Sequence, residues 1–213
     1  MSLASLTGDG CRAFAAASPR RRGVVLHGYG GDGGEAAALA AALAERLEAR
    51  VLVPDLPGHG GRADVPLSRE SARAAVALLR RELGRVDFAV GHSLGARLAL
   101  ELEARARVLL AMPGAPSFEG SRRELVRTLR PGRVREAAPL AGLVELLASP
   151  PDIPREPTLL LTAALELETV LALAKSWEAR GVERATIAAT THRDLIQAPA
   201  AHEAAISFLE ARL

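Results

Sequence analysis

The chain is short of several residue types, and each shortage excludes something. Cys11 is the only cysteine, so no disulfide forms within the chain, and a reducing cytoplasm is the compartment that fits. Lys175 is the only lysine, asparagine is absent and Gln197 is the only glutamine. Scarce amides suit a heat-adapted protein, although scarce lysine is not part of that pattern. Charge is nearly balanced, 27 basic against 25 acidic residues for a net +2, so no strong field is expected to draw nucleic acid. The densest basic run, Arg20-Arg21-Arg22, reads as a solvated turn ahead of a strand. No stretch approaches the apolar length of a membrane span, and no basic region followed by an apolar one marks a secretion signal. Zinc-type Cys/His spacing, a phosphate-binding P-loop and low-complexity linkers are also missing, so no metal and no cofactor are expected.

Hydrophobic residues make up 49% of 213 positions, enough for one domain with a full core. Short apolar runs at Gly23–His27, Val51–Val53, Val86–Val90, Arg107–Met112, Thr158–Thr162 and Ala185–Ala189 read as strands. Helical patterns separate them at Glu35–Arg50, Ser68–Leu83, Leu94–Ala104, Val170–Arg180 and Ala200–Leu213, with Ser68 as an N-cap and Gly84 as a stop. This alternation predicts an α/β fold, a mostly parallel sheet with helices on both faces. Unbroken apolar strands agree with burial on both sides. Residues 115–157 break the rhythm with two helical stretches, Arg122–Leu129 and Pro139–Ala148, and a proline-rich end.

One turn carries chemistry. The strand pattern Val86–Val90 runs into Gly91-His92-Ser93-Leu94-Gly95, and a helical pattern leaves it. Strand, abrupt turn and helix around a serine between small residues form a nucleophile elbow. The turn strains the serine backbone and holds its hydroxyl out of the sheet, while the new helix aims N–H groups and the positive dipole end at the reacting atom. A serine hydroxyl also needs a base. The chain has five histidines. His27 and His59 lie in loops after earlier strands, His92 adjoins the serine with its side chain expected to point away, and His202 falls inside the last helix. His192 stands between the last strand and that helix.

Four blocks, His27-Gly-Tyr-Gly-Gly31, Asp55-Leu-Pro-Gly-His-Gly60, Gly91-His-Ser-Leu-Gly95 and the segment around His192, resemble the α/β-hydrolase superfamily in order, spacing and strand context. The resemblance runs from about Gly23 to the C-terminus. It implies a single α/β-hydrolase domain over residues 1–213, with residues 115–157 as a short helical lid. It also implies a serine nucleophile at Ser93, a base at His192, and an acid between them in sequence that orients the imidazole. In similar enzymes the acid loop carries an aspartate where this chain has Glu166, so glutamate is a departure. Glu168 and Glu119 are the alternatives, and Asp194 is too near His192 in sequence to orient it.

The oxyanion hole implied is a pair of backbone amides, Tyr29 and Leu94; with no asparagine in the chain, a side-chain amide is nearly excluded. Asp55, Gly58 and His59 are expected to hold their loop by local hydrogen bonds. In the lid, Phe118, Leu125, Leu129, Leu140, Leu143, Val144 and Leu147 supply either a pocket wall or the lid's own packing face. The activity implied is cofactor-independent hydrolysis of a carboxylic ester or thioester, with a small-molecule acyl compound as substrate. Acyl transfer or C–C bond hydrolysis would use the same residues, and a non-catalytic ligand-binding relative is the reading of another class. A serine at position 93 argues against the dehalogenase and epoxide-hydrolase branches, which need a carboxylate there. Oligomeric state is not legible.

Overall fold

A computed structural model of the chain describes residues 10–115 and 136–213. Its strands are β1 (Cys11–Ala15), β2 (Arg21–Leu26), β3 (Ala49–Pro54), β4 (Val86–His92), β5 (Ala104–Leu110), β6 (Thr158–Leu165) and β7 (Glu183–Thr191). They form one sheet in the order β1-β3-β2-β4-β5-β6-β7. Every neighbouring pair is parallel except β1 with β3. The described helices are α1 (Ala37–Arg46), α2 (Arg69–Leu83), α3 (Leu94–Ala99), α4 (Leu140–Leu147), α5 (Glu168–Glu178) and α6 (Pro199–Glu210).

Two apolar layers sandwich the sheet. On one face Val25, Val53, Phe88, Val90 and Leu110 pack against Leu39 and Leu43 of α1 and Ala205, Ile206 and Leu209 of α6. On the other Leu26, Leu52, Ala89, Leu109 and Leu160 meet Val76 and Leu79 of α2, Leu98 of α3, Leu143 and Leu147 of α4, and Trp177 of α5. Alternate residues of one strand serve opposite layers, which is why the central strands read as continuous apolar runs.

Several boundaries differ from the sequence reading because pairing overrides helix propensity. The helix expected over Glu35–Arg50 stops at Arg46: Glu48 turns with φ +48° and Ala49 already pairs with Arg21. The helix expected to reach Ala104 ends at Ala99, since Ala104 is taken into β5 beside Val86. The antiparallel edge strand β1 was not foreseen; it is short, half-exposed and lacks an apolar run. Arg21 and Arg22 do not form a solvated turn. They lie in β2, and their guanidiniums donate to Leu47 O and Leu83 O at the ends of α1 and α2, both at 2.8 Å, where positive charge suits the helix dipole.

The start of α2 follows its sequence signal. Ser71 N donates to Ser68 Oγ at 3.1 Å and Ser68 N to Ser71 Oγ at 2.9 Å, a reciprocal cap, and Gly84 ends the helix at φ +61°. Of the apolar residues between 115 and 157, Leu143 and Leu147 are buried in the core and so form a packing face. Phe118, Leu125 and Leu129, with the helix expected at Arg122–Leu129, lie outside the described residues.

Candidate active site

The site begins at the end of β4. His92 pairs with Leu110 of β5, Ser93 N donates to Leu110 O at 2.9 Å, and the chain then reverses into α3. Ser93 makes that turn with φ +51° and ψ −113°. A non-glycine residue there stores on the order of 1–3 kcal/mol of strain, repaid by packing around it. The flanking glycines are sterically required. A Cβ on Gly91 would sit 2.3 Å from Gly95 O, and one on Gly95 would sit 2.3 Å from Leu26 O.

Ser93, His192 and Glu166, chosen from distant parts of the sequence, meet here. His192 Nε2 lies 3.0 Å from Ser93 Oγ, and His192 Nδ1 lies 2.5 Å from Glu166 Oε1. A carboxylate oxygen only accepts, so Nδ1 carries the proton and Nε2 faces the hydroxyl as an acceptor. The Glu166 side chain is fully shielded from solvent, while that of His192 is 21% exposed. Leu167 N donates to Glu166 Oε1 at 2.9 Å and Ala163 N to Oε2 at 3.3 Å, which fixes the carboxylate.

A β-bulge produces this meeting. Ala163 pairs with Ile187, but Leu165 pairs with Thr191, so β7 accommodates extra residues there. Ala189 takes φ +53° within it, and Thr190 Oγ1 donates to Ile187 O at 2.7 Å. The bulge brings Thr191 opposite Leu165, and the next residues, His192 and Glu166, face each other. Glu168 instead opens α5 as an exposed first-turn residue, and Glu119 lies outside the described residues. Asp194 accepts from Thr191 Oγ1 at 2.6 Å and starts a short 3₁₀ turn, consistent with a local role.

The glycine-rich loop after β2 is tied to the loop after β3. His27 donates from Nδ1 to Gly28 O at 2.8 Å and accepts at Nε2 from Leu56 N at 2.9 Å. His59 donates from Nδ1 to Pro57 O at 2.8 Å and accepts at Nε2 from Gly30 N at 2.9 Å. Asp55 accepts from Gly33 N at 2.7 Å and Gly61 N at 2.8 Å. These bonds run between loops, not only within one as the sequence suggested, and they brace the backbone that carries Tyr29. Complete burial pushes the His27 pKa down to about 4, which keeps it neutral in its accepting role. The Tyr29 hydroxyl donates to Ala138 O, ahead of α4. Leu94 is the first residue of α3, where a helix N–H has no intrahelical acceptor.

The side chain of His92 makes a contact that the sequence does not reveal. Its Nε2 lies 2.7 Å from His192 O, and the two rings pack with centroids 5.4 Å apart. His202 lies in α6, away from these contacts, and its Nε2 donates to Ile196 O at 2.9 Å. Cys11 does not rival Ser93, since burial pushes its thiol up to about 11. Among the described residues no group of three or more His, Cys, Asp or Glu could hold a metal ion, and no helix is long and apolar enough to cross a membrane.

No curated protein matches the sequence significantly. Solved structures resemble it throughout. A monoacylglycerol lipase from Paleococcus ferrophilus is 19% identical with a TM-score of 0.69, over 95% of this chain and 98% of that one. A thermophilic esterase from Thermogutta terrifontis is 19% identical with a TM-score of 0.68, over 94% and 92%. A thioesterase from the prodiginine biosynthetic pathway of Streptomyces coelicolor is 20% identical with a TM-score of 0.65, over 94% and 93%. At these identities the likeness is one of fold. The family model for the alpha/beta hydrolase family matches residues 24–209, and with the sheet order and the serine turn described above, the chain belongs to that family.

Proposed function

We propose that the protein is a serine hydrolase that cleaves a carboxylic ester or thioester through an acyl-enzyme on Ser93. The observation that carries this reading is the alignment of Ser93 Oγ, His192 and the shielded Glu166 carboxylate, at 3.0 and 2.5 Å, on a serine held at φ +51°. The solved structures of similar fold include a thioesterase, an esterase and a monoacylglycerol lipase, which favours acyl compounds as the substrate class.

In this mechanism His192 Nε2 takes the Ser93 proton as Oγ attacks the acyl carbon. The negative charge on the carbonyl oxygen is met by the N–H groups of Leu94 and Tyr29, of which removing one typically costs about 100- to 1,000-fold in rate. Glu166 stabilises the imidazolium and keeps the Nδ1 proton in place. Collapse breaks the bond to the leaving alkoxide or thiolate, which takes the proton from Nε2. Water then attacks the acyl-enzyme with His192 as base, releasing the acid and restoring Ser93. The chemistry needs neither a metal nor a cofactor. The segment 115–157 is proposed as a short lid; of its described residues, Ala138 accepts at its O from the Tyr29 hydroxyl.

A fluorophosphonate probe tests the reading. The wild type is expected to be labelled, and Ser93→Ala is not. A folded wild type that takes no label overturns it.

A further inference from the structure

We infer that His92, the residue before the nucleophile, is a positioning residue for the base: its ring holds the backbone of His192 in reach of Ser93. The inference rests on the serine-hydrolase reading above and adds a part to it. His92 Nε2 lies 2.7 Å from His192 O. A carbonyl oxygen only accepts, so Nε2–H donates. The residue is 5% exposed and closes β4, so its backbone is fixed by pairing with Leu110. By strand alternation it shares the sheet face of Val90, where α6 and the buried Leu195 and Ile196 pack just beyond His192.

The ring also packs on the imidazole of His192, with centroids 5.4 Å apart at 47°. Its far side fills the space beside the glycine-rich loop, since a Cβ on Gly28 would come 2.7 Å from His92 Nδ1. One buried ring thus spans the elbow, the base loop and the loop carrying Tyr29.

The Glu166 bond orients the imidazole through Nδ1 and does not itself reach the backbone of His192. Past the bulge, His192 has left the strand ladder, for the last paired residue is Thr191. The bond from His92 supplies a direct restraint on its backbone from β4. Since a shift of about 1 Å in a reacting group can cost about 100-fold in rate, its loss should appear in kcat and spare substrate binding.

The test compares His92→Leu, His92→Asn and His92→Gln on p-nitrophenyl esters, with circular dichroism confirming the fold. A glutamine amide reaches about as far from Cα as Nε2 of histidine; an asparagine amide does not. His92→Leu and His92→Asn are expected to lower kcat about 10- to 100-fold with KM changed less than about 3-fold. His92→Gln is expected to recover most of the loss. If His92→Leu does not fold, the contrast between Gln and Asn decides. Unchanged kcat in the Leu or Asn variant, or equal loss in Gln and Asn, overturns the role of His92. A wild type that neither takes fluorophosphonate nor turns over ester instead sinks the hydrolase reading, and this inference with it.

Discussion

Replacing Glu166 separates the proposed acid from its neighbours. The carboxylate is fully shielded and accepts from His192 Nδ1, Leu167 N and Ala163 N. When His192 gains the serine proton, opposite unit charges stand with centres about 4 Å apart. At an effective dielectric constant of ~20 their attraction is about 4 kcal/mol, which is about a thousandfold in rate. Glu166→Ala should therefore lower kcat for a p-nitrophenyl ester on the order of 1,000-fold. Glu166→Gln should be no better. If its amide nitrogen faces His192, Nδ1 must accept, Nε2 carries the proton, and the tautomer cannot take a proton from Ser93; a wrong tautomer of this kind costs ~10⁴ in a related triad. If its oxygen faces His192, the amide nitrogen opposes Ala163 N–H. Glu168→Ala, at an exposed helix start, should change kcat less than about 3-fold, on the scale of a single weak surface interaction. Steady-state turnover with active-site titration measures all three. A larger loss in Glu168→Ala than in Glu166→Ala would refute the assignment of the acid.

Two further predictions concern stability. Gly95→Ala places a Cβ 2.3 Å from Leu26 O and 2.5 Å from His27 O, both backbone atoms, and should cost about 3 kcal/mol in urea unfolding. Gly84→Ala meets no atom within 4 Å and strains only its own backbone, at φ +61° and ψ −144°, so it should cost about 1–2 kcal/mol; a loss at Gly84 as large as that at Gly95 would remove the steric account of the elbow. His27 has its pKa lowered from 6.5 to about 4 by burial. Between those values the unfolded chain binds a proton that the folded chain refuses, so this contribution is complete above pH 6.5 and is lost as pH falls. The loss is about 1.4 kcal/mol per pH unit, or about 3 kcal/mol by pH 4. Urea midpoints between pH 7 and 4.5 should fall more steeply for wild type than for His27→Gln, and parallel profiles would contradict the assignment.

The parts of the site legible in the sequence are those governed by local geometry. A serine flanked two residues away by Gly91 and Gly95, after an apolar strand, has few alternatives, because any side chain at either glycine would strike backbone. The Ser68 cap and the Gly84 stop were legible for the same reason: each is a bond or dihedral within a few residues. Glu166 was implied by the aspartate position of similar enzymes, in a loop after a strand expected to end at Thr162, but β6 runs to Leu165. What seats the longer glutamate is a register shift against β7, visible in no single segment. Boundaries near Ala49 and Ala104 failed likewise, since alanine favours helix and only a partner strand draws it into a sheet.

The sequence alone determined the alternation of strands and helices, the parallel sheet, the serine turn, and the glycine loop that could offer an amide. Each follows from side-chain size and polarity read over a few positions. Only tertiary structure decided which carboxylate meets His192, how a bulge carries His192 to Ser93, and that His27, His59 and His92 brace loops. Those facts depend on strand register and on hydrogen bonds across as many as 100 residues of sequence, and such bonds leave no periodic mark in the chain that makes them.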